Sequence, residues 1–155
     1  MRFGPGRGDY WRASGSFGGR TVHLIKPATF MNESGRAVAQ ALAHFGVTQD
    51  ALLVVLDDFQ IPLGTLRMRP KGSDGGHNGL VSVIVALGTD EFPRLRCGIG
   101  RDETPAGGKK RDFVLSSFAP EEIPATRAMV VRAADAAATV AASDIGRAMT
   151  DTNTQ

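Results

Sequence analysis

The chain has 155 residues, of which 42% are hydrophobic and 22% charged, so it has the length of one domain and the composition of a soluble globular protein. It contains no apolar run near the ~20 residues of a membrane helix and no apolar core of a signal peptide near its start, which favours a cytoplasmic location. The formal net charge of +2 is too small to indicate a class of partner, and the single cysteine excludes an internal disulfide and a zinc site of several thiolates.

The first part of the chain predicts a strand and a helix behind an irregular start. Residues 1–16 are rich in glycine and arginine, and we expect them to be poorly ordered or a graft onto the fold. Residues 21–26 alternate in character and predict a strand that ends at the following proline. We expect Asn32 or Ser34 to cap the next helix, which ends at Gly46.

The middle of the chain predicts three strands and a second helix. The unbroken apolar run 52–56 is typical of a central strand covered on both faces, and Asp57 follows it directly. Residues 63–69 and 94–99 alternate as strands do, and residues 80–88 have helical spacing with a glycine at the end.

The last third predicts a basic loop followed by helices. Residues 101–112 form either a lid over a site or a solvated connection. An alanine-rich helix is expected to follow Pro120-Glu121-Glu122 and to run through Ala142, then a short helical piece at 145–149 and a polar tail at 150–155. Strands that alternate with helices predict an α/β fold: a single domain over the whole chain, with a mixed, mostly parallel, twisted sheet flanked by helices.

A glycine-rich turn, residues 72–80, lies between a predicted strand and a predicted helix. Its glycines allow positive φ and close approach of another molecule, and the helix N-terminus presents free N–H groups. Such a turn suits a phosphate or a carbonyl that becomes an oxyanion. The alternative is a sharp turn in which His77 or Asn78 only caps the helix.

Three polar side chains follow predicted strands, and sites in open α/β sheets gather at the carboxyl ends of strands. Asn32, Asp57 and Asn78, the last beside His77, are therefore expected to converge on one edge of one sheet. Taken singly, the two asparagines are equally explained as helix caps and the aspartate as a turn residue. The histidines are too scattered to form a metal site.

Basic residues are grouped near the glycine-rich turn, in the strand 94–99 and in the loop that follows it. Such groups are typical of a phosphate-backbone contact and also of ordinary charged rims. The groups comprise Arg67, Arg69 and Lys71, then Arg94, Arg96 and Arg101, then Lys109, Lys110 and Arg111.

Four motifs, in this order and spacing, make the chain resemble the bacterial-type peptidyl-tRNA hydrolase family. They are KPATFMNESG at 26–35, DDFQIPLG at 57–64, GGHNGL at 75–80 and FPRLRCGIGR at 92–101. The resemblance runs from about Trp11 to the C-terminal helix.

The family resemblance implies cleavage of the ester between a peptide and the terminal ribose of tRNA, without a metal or organic cofactor and by a monomer. It implies that Asn32 and Asn78 contact substrate and place the water or the carbonyl, and that Asp57 orients a general-base histidine. The same motifs put Phe30, Gly76 and His77 at the substrate. The tRNA-binding residues it suggests are Arg67, Arg69, Lys71, Arg96, Arg101, Lys109 and Lys110.

The chain departs from the family pattern at two places. Gln60 stands where the family usually has a second acid. The family opens with a strand, a Gly-Asn-Pro-Gly loop and an Arg-His-Asn segment that carries the catalytic histidine, on the order of 30 residues in such a βα unit. Neither segment is found here, so we hypothesise a truncated sequence, with replacement of the strand by residues 1–16 as the alternative.

No residue of the chain is therefore assigned as the general base. The competing functional hypothesis is an RNA-binding protein on the same fold that has lost hydrolysis. A third is an α/β module that binds another phosphate-bearing ligand.

Overall fold

The computed structural model describes residues 1–101 and 109–154, with the backbone alone at Lys109. The described chain forms two compact units. The first comprises residues 1–52 and 70–93, and the second comprises residues 53–69 and those from Arg94 on.

An antiparallel sheet begins the first unit. Its strands are β1 (Gly4–Pro5), β2 (Tyr10–Phe17) and β3 (Arg20–Pro27), in that order across the sheet. A two-glycine turn with φ of 57° and 76° joins β2 to β3, a conformation that suits a tight hairpin. Residues 10–17 thus form a strand paired along its whole length with β3, so poor order, one of the two alternatives expected for residues 1–16, is not met there.

Two helices complete the first unit, α1 (Ser34–Phe45) and α2 (Asn78–Leu87), with a 3-10 turn at Met31–Glu33 before α1. Both helices end at a left-handed glycine, as predicted. The predicted cap of α1 is wrong, because Glu33 occupies the cap position and no side chain caps the helix. Ser34 is already helical, and its hydroxyl donates back to the carbonyl of Met31 at 2.8 Å.

One core cluster of the first unit is built from small residues of α1 against one aromatic residue of β2. Tyr10, Ala37 and Ala41 are buried together, with Ile25 and Phe45 packed against them. Because α1 presents small side chains, neighbouring elements approach its backbone closely.

A mixed sheet organises the second unit. Its strands are β4 (Val54–Pro62), β5 (Leu66–Arg69) and β6 (Arg94–Gly100), in the order β4-β6-β5. β4 runs parallel to β6, whereas β5 runs antiparallel to it. The described strands thus form two small sheets with one parallel pairing, and the prediction of a single, mostly parallel sheet is not met.

The apolar run at 52–56 is not the covered central strand that we expected. Among the described strands β4 pairs with β6 alone, and Val55 is 53% exposed. Asp57 lies within β4 and not after it. An apolar run reports hydrophobicity but not strand order, which depends on pairings distant in sequence.

The described residues after β6 form three α-helices: α3 (Lys109–Val114), α4 (Ile123–Ala142) and α5 (Ile145–Asn153). α4 and α5 cover one face of the sheet, with a core of Leu66, Met68, Leu95, Met129, Ala133, Ala136 and Ala148. The expected polar tail begins as the last turns of α5. Its Asn153 side chain is bound to β5: Oδ1 accepts from Met68 N at 2.9 Å, and Nδ2 donates to Met68 O at 3.1 Å. None of the described helices is both long enough and apolar enough to cross a membrane.

Gly35 is the position at which α1 meets α2 most closely. A Cβ at Gly35 would overlap the carbonyl of Ser82 and lie 2.8 Å from the Cβ of Ala86. The backbone N–H of Gly35 donates to Ser82 Oγ at 2.9 Å. No side chain fits between the two helices at this point.

We predict that Gly35→Ala lowers the free energy of unfolding by about 1–3 kcal/mol, because overpacking outweighs the gain in helix propensity of ~1 kcal/mol. Urea unfolding measures the change. Gly4→Ala is the control, since a Cβ there meets nothing within 4 Å. Unchanged or increased stability of Gly35→Ala would contradict the close approach.

Candidate functional site

The glycine-rich turn is held by its own aspartate. Asp74 accepts from Gly76 N at 2.7 Å through its side chain and from His77 N at 3.2 Å through its carbonyl. Gly75 and Gly76 have φ of 61° and 80°, which side-chain-bearing residues rarely adopt. A Cβ at Gly76 would meet nothing within 4 Å, so this exposed position is open to an approaching molecule.

His77 is the cap of α2. Its Nδ1 accepts from the backbone N–H of Leu80 at 3.1 Å, so of the two caps that the sequence allowed, His77 is the one used. A neutral imidazole that accepts at Nδ1 carries its proton on Nε2. In this geometry His77 cannot take a proton from water unless the cap is broken.

Asn32 and Asn78 lie on elements that touch within the first unit. A Cβ at Gly79, the residue after Asn78, would stand 2.5 Å from the Sδ of Met31, the residue before Asn32. Both asparagines are exposed. An exposed carboxamide offers two donors and one acceptor, the groups needed to hold a carbonyl or a water molecule.

An apolar side chain lies next to Asn32 on the same short segment. Phe30 is 79% exposed and directly precedes the 3-10 turn that carries Asn32. Exposed phenylalanine is unfavourable in water, so this side chain suits contact with an apolar or aromatic group of a ligand.

Asp57 belongs to the second unit, where β4 holds it half-buried opposite Cys97 of β6. Burial, and secondarily the Asp57 carboxylate, raises the pKa of the Cys97 thiol to about 11. The thiol therefore stays protonated and inert near neutral pH. The sequence predicted that Asn32, Asp57 and Asn78 converge on one edge of one sheet. The described strands do not provide such a sheet, because Asn32 follows β3 of the first sheet, whereas Asp57 lies in β4 of the second.

Four arginines share one face of the second unit's sheet. Arg67 and Arg69 of β5 lie directly opposite Arg96 and Arg94 of β6. We call these four residues the arginine face; the opposite face packs against α4 and α5. Arg94 is only 1% exposed, and it is not among the tRNA-binding residues that the family resemblance suggests.

The other predicted tRNA-binding residues have partners in the structure. Lys71 pairs with Glu91 at 2.8 Å. Both carboxylate oxygens of Glu122 accept from Arg101, at 2.5 and 2.6 Å.

The predicted basic loop is described only in part. Lys110 lies over the ring of Phe59, 5.1 Å from its centroid. The side chain of Lys109 and residues 102–108, to which the predicted lid largely belongs, lie outside the described residues.

His23 is the other histidine considered as a base. Its ring stacks on Phe45 with centroids 3.7 Å apart, and its Nδ1 shares a hydrogen bond of 2.8 Å with Ser14 Oγ. Burial, followed by the charge of Arg12 and by His44, lowers the pKa of His23 below its usual 6.5. His23 is therefore mainly neutral at pH 7, within the hairpin. The described residues contain no group of three metal-ligating side chains.

The chain matches known proteins along most of its length. A family model described as peptidyl-tRNA hydrolase matches residues 7–155. A peptidyl-tRNA hydrolase of Salinibacter ruber is 48% identical over 87% of this chain and 71% of the relative. One of Chlorobium chlorochromatii is 42% identical over 98% of this chain and 80% of the relative.

A solved structure has the same fold. The crystal structure of peptidyl-tRNA hydrolase from Acinetobacter baumannii is similar with a TM-score of 0.85 and 26% identity, over 94% of this chain and 72% of that one. The α/β fold class and the resemblance carried by the four motifs are both confirmed. The chain belongs to the peptidyl-tRNA hydrolase family.

Proposed function

We propose that this chain hydrolyses peptidyl-tRNA, a carboxylic ester hydrolase activity (EC 3.1.1.29). Water adds to the ester carbonyl, the bond from that carbon to the ribose oxygen breaks, and the products are a peptide acid and a tRNA with a free hydroxyl. The observation that carries this proposal is the family match over residues 7–155. The activity serves translation, and we place it in the cytoplasm and in a monomer.

The exposed carboxamides are proposed to handle the ester. An ester hydrolysis needs donors aimed at the oxygen that becomes negative, and a group that orients the attacking water. Asn78 stands at the first residue of α2, where the free N–H groups and the helix dipole add positive potential. Asn32 adds a second amide, and Phe30 and the open side of Gly76 adjoin the substrate.

Asp57 is proposed to orient the general-base histidine that the family resemblance implies. A half-buried carboxylate makes stronger hydrogen bonds than a solvated one, which suits it to hold an imidazole. His77 has a different part in this proposal. Its Nδ1 is used by Leu80, so it shapes the turn and contacts substrate instead of accepting the proton.

Arg67, Arg69 and Arg96 of the arginine face are proposed to contact tRNA phosphates, whereas Arg94 is buried. Like charges placed directly opposite each other on neighbouring strands repel, and a bound polyanion removes that cost. Lys71, Arg101 and Lys110 are proposed to add phosphate contacts. On binding, Lys71 and Arg101 would replace their carboxylate partners, Glu91 and Glu122, with phosphate oxygens of the tRNA. Lys109 is included because of its place in the same basic group.

The first test measures release of labelled peptide from peptidyl-tRNA by the chain and by a version extended upstream with a histidine-bearing segment. Release that is proportional to enzyme supports the proposed hydrolysis. Binding of tRNA by both versions with no release from either would instead favour the non-catalytic RNA-binding protein.

We predict that Asn78→Ala and Asp57→Ala each lower hydrolysis by the extended version about 10²-fold or more, the scale of an oxyanion or acid–base partner. The cap of α2 survives in Asn78→Ala because His77 supplies it, so folding is unaffected. Asp151→Ala, at an exposed residue of α5, is the control for Asp57→Ala. Near-parental rates for both variants would refute the assignment of these residues.

We predict that His77→Asn, made in the extended version, leaves the acidic limb of the pH profile of kcat/KM unshifted. The reason is that asparagine still caps α2 and that His77 is not the general base in this proposal. His77→Ala removes the cap and lowers the free energy of unfolding by about 1 kcal/mol. Disappearance of the acidic limb in His77→Asn would identify His77 as the base and overturn this mechanism.

We predict that Arg67→Ala and Arg69→Ala each weaken tRNA binding, because each removes one phosphate contact. Each is also expected to make the plot of the logarithm of the association constant against the logarithm of salt concentration shallower by about 1. Titration of tRNA at several salt concentrations measures both effects. Arg127→Ala, on the exposed surface of α4, is the matched control. A slope that stays unchanged in both variants would exclude phosphate contacts by the arginine face.

A further inference from the structure

Asp58 lies next to Asp57 but faces the other side of β4, because successive side chains of a strand alternate. Its Oδ2 accepts from Arg96 Nη1 at 3.1 Å, and its Oδ1 accepts from Gln60 N at 2.8 Å. The Asp58 side chain is 8% exposed and that of Arg96 is 18% exposed. The Asp58 carboxylate, which pairs with Arg96 of the arginine face, is thus withdrawn from water and hydrogen-bonded at both oxygens.

Stability alone is a weak reason for this ion pair. Removing two charges from water costs about as much as their attraction returns, so buried pairs are often replaced by apolar residues without loss. The charges around Arg96 give the pair another role. Arg67 lies directly opposite Arg96, and the Asp58 carboxylate offsets the repulsion between these two guanidinium groups.

We propose that Asp58 is a positioning residue that holds the Arg96 guanidinium in the orientation in which it meets a tRNA phosphate. This rests on the phosphate contact proposed above for Arg96. A guanidinium is planar with five N–H groups in a fixed fork, so a contact at one Nη sets the direction of the others. Recognition of a phosphate by two parallel hydrogen bonds depends on that direction.

A positioning role for Asp58 and a purely electrostatic one predict opposite changes in tRNA affinity when the carboxylate is removed. Removal of the Asp58 carboxylate makes this face of the sheet more positive, which by charge alone tightens binding of a polyanion. If Asp58 positions Arg96, its removal weakens binding, because Arg96 loses its orientation.

The test is Asp58→Asn, which removes the charge and keeps a side-chain oxygen for Gln60 N. We expect the Kd for tRNA without an attached peptide or amino acid to rise about tenfold. The plot of the logarithm of the association constant against the logarithm of salt concentration is expected to become shallower by about 1. Asp58→Glu, which keeps the charge, is expected to recover part of the affinity. Asp151→Asn makes the same change of charge at an exposed residue of α5 and is expected to leave binding unaltered.

Arg96→Ala completes the experiment as a double-mutant cycle. Asp58→Asn is expected to have no further effect on tRNA binding in the Arg96→Ala background. Provided that Arg96→Ala weakens tRNA binding, two results would overturn the positioning role of Asp58. One is tighter or unchanged binding by Asp58→Asn; the other is an equal loss of affinity from Asp58→Asn in the parental chain and in Arg96→Ala. Parental binding by Arg96→Ala would remove the proposed phosphate contact of Arg96 and the role of Asp58 with it.

Discussion

The close contact of α1 with α2 is the constraint on which the arrangement of the first unit depends. Gly35 has no side chain, so the backbone of α1 reaches Ser82, and its N–H donates to the Ser82 hydroxyl. The 3-10 turn before α1 is thereby held against the first turn of α2, with Met31 beside Gly79. Two exposed amides on different segments, those of Asn32 and Asn78, consequently share one region of the surface. A packing requirement within the helices thus serves the proposed chemistry.

The glycine-rich turn shows how a histidine in a functional motif acquires its role from a single hydrogen bond. His77 lies at the start of α2, where a catalytic base is easily imagined. Its Nδ1 accepts from Leu80 N, which leaves the proton on Nε2 and makes the ring a cap and a donor. The proposed division of labour follows from this bond: His77 shapes the turn, and Asp57 orients a different histidine.

Strand alternation separates two kinds of chemistry on β4. Asp57 acts on the side where its charge reaches Cys97, and Asp58 acts on the side of the arginine face. The two neighbouring carboxylates therefore have different partners and different proposed roles, one toward the ester and one toward tRNA phosphate. A register error of one residue in β4 would exchange these roles, because it would turn every side chain to the opposite face.

Sequence alone determined the features that depend on local chemistry: the glycines that end α1 and α2, the strands β3 and β6, the long helix α4 and the four family motifs. It did not predict that β4 pairs with one described strand, that β2 is ordered, or that Asn153 closes hydrogen bonds with β5. Nor did it predict the ion pair of Asp58 with Arg96. Strand order, register and ion pairs join residues far apart in the chain, and local patterns carry no record of those partners; only the tertiary structure decided them.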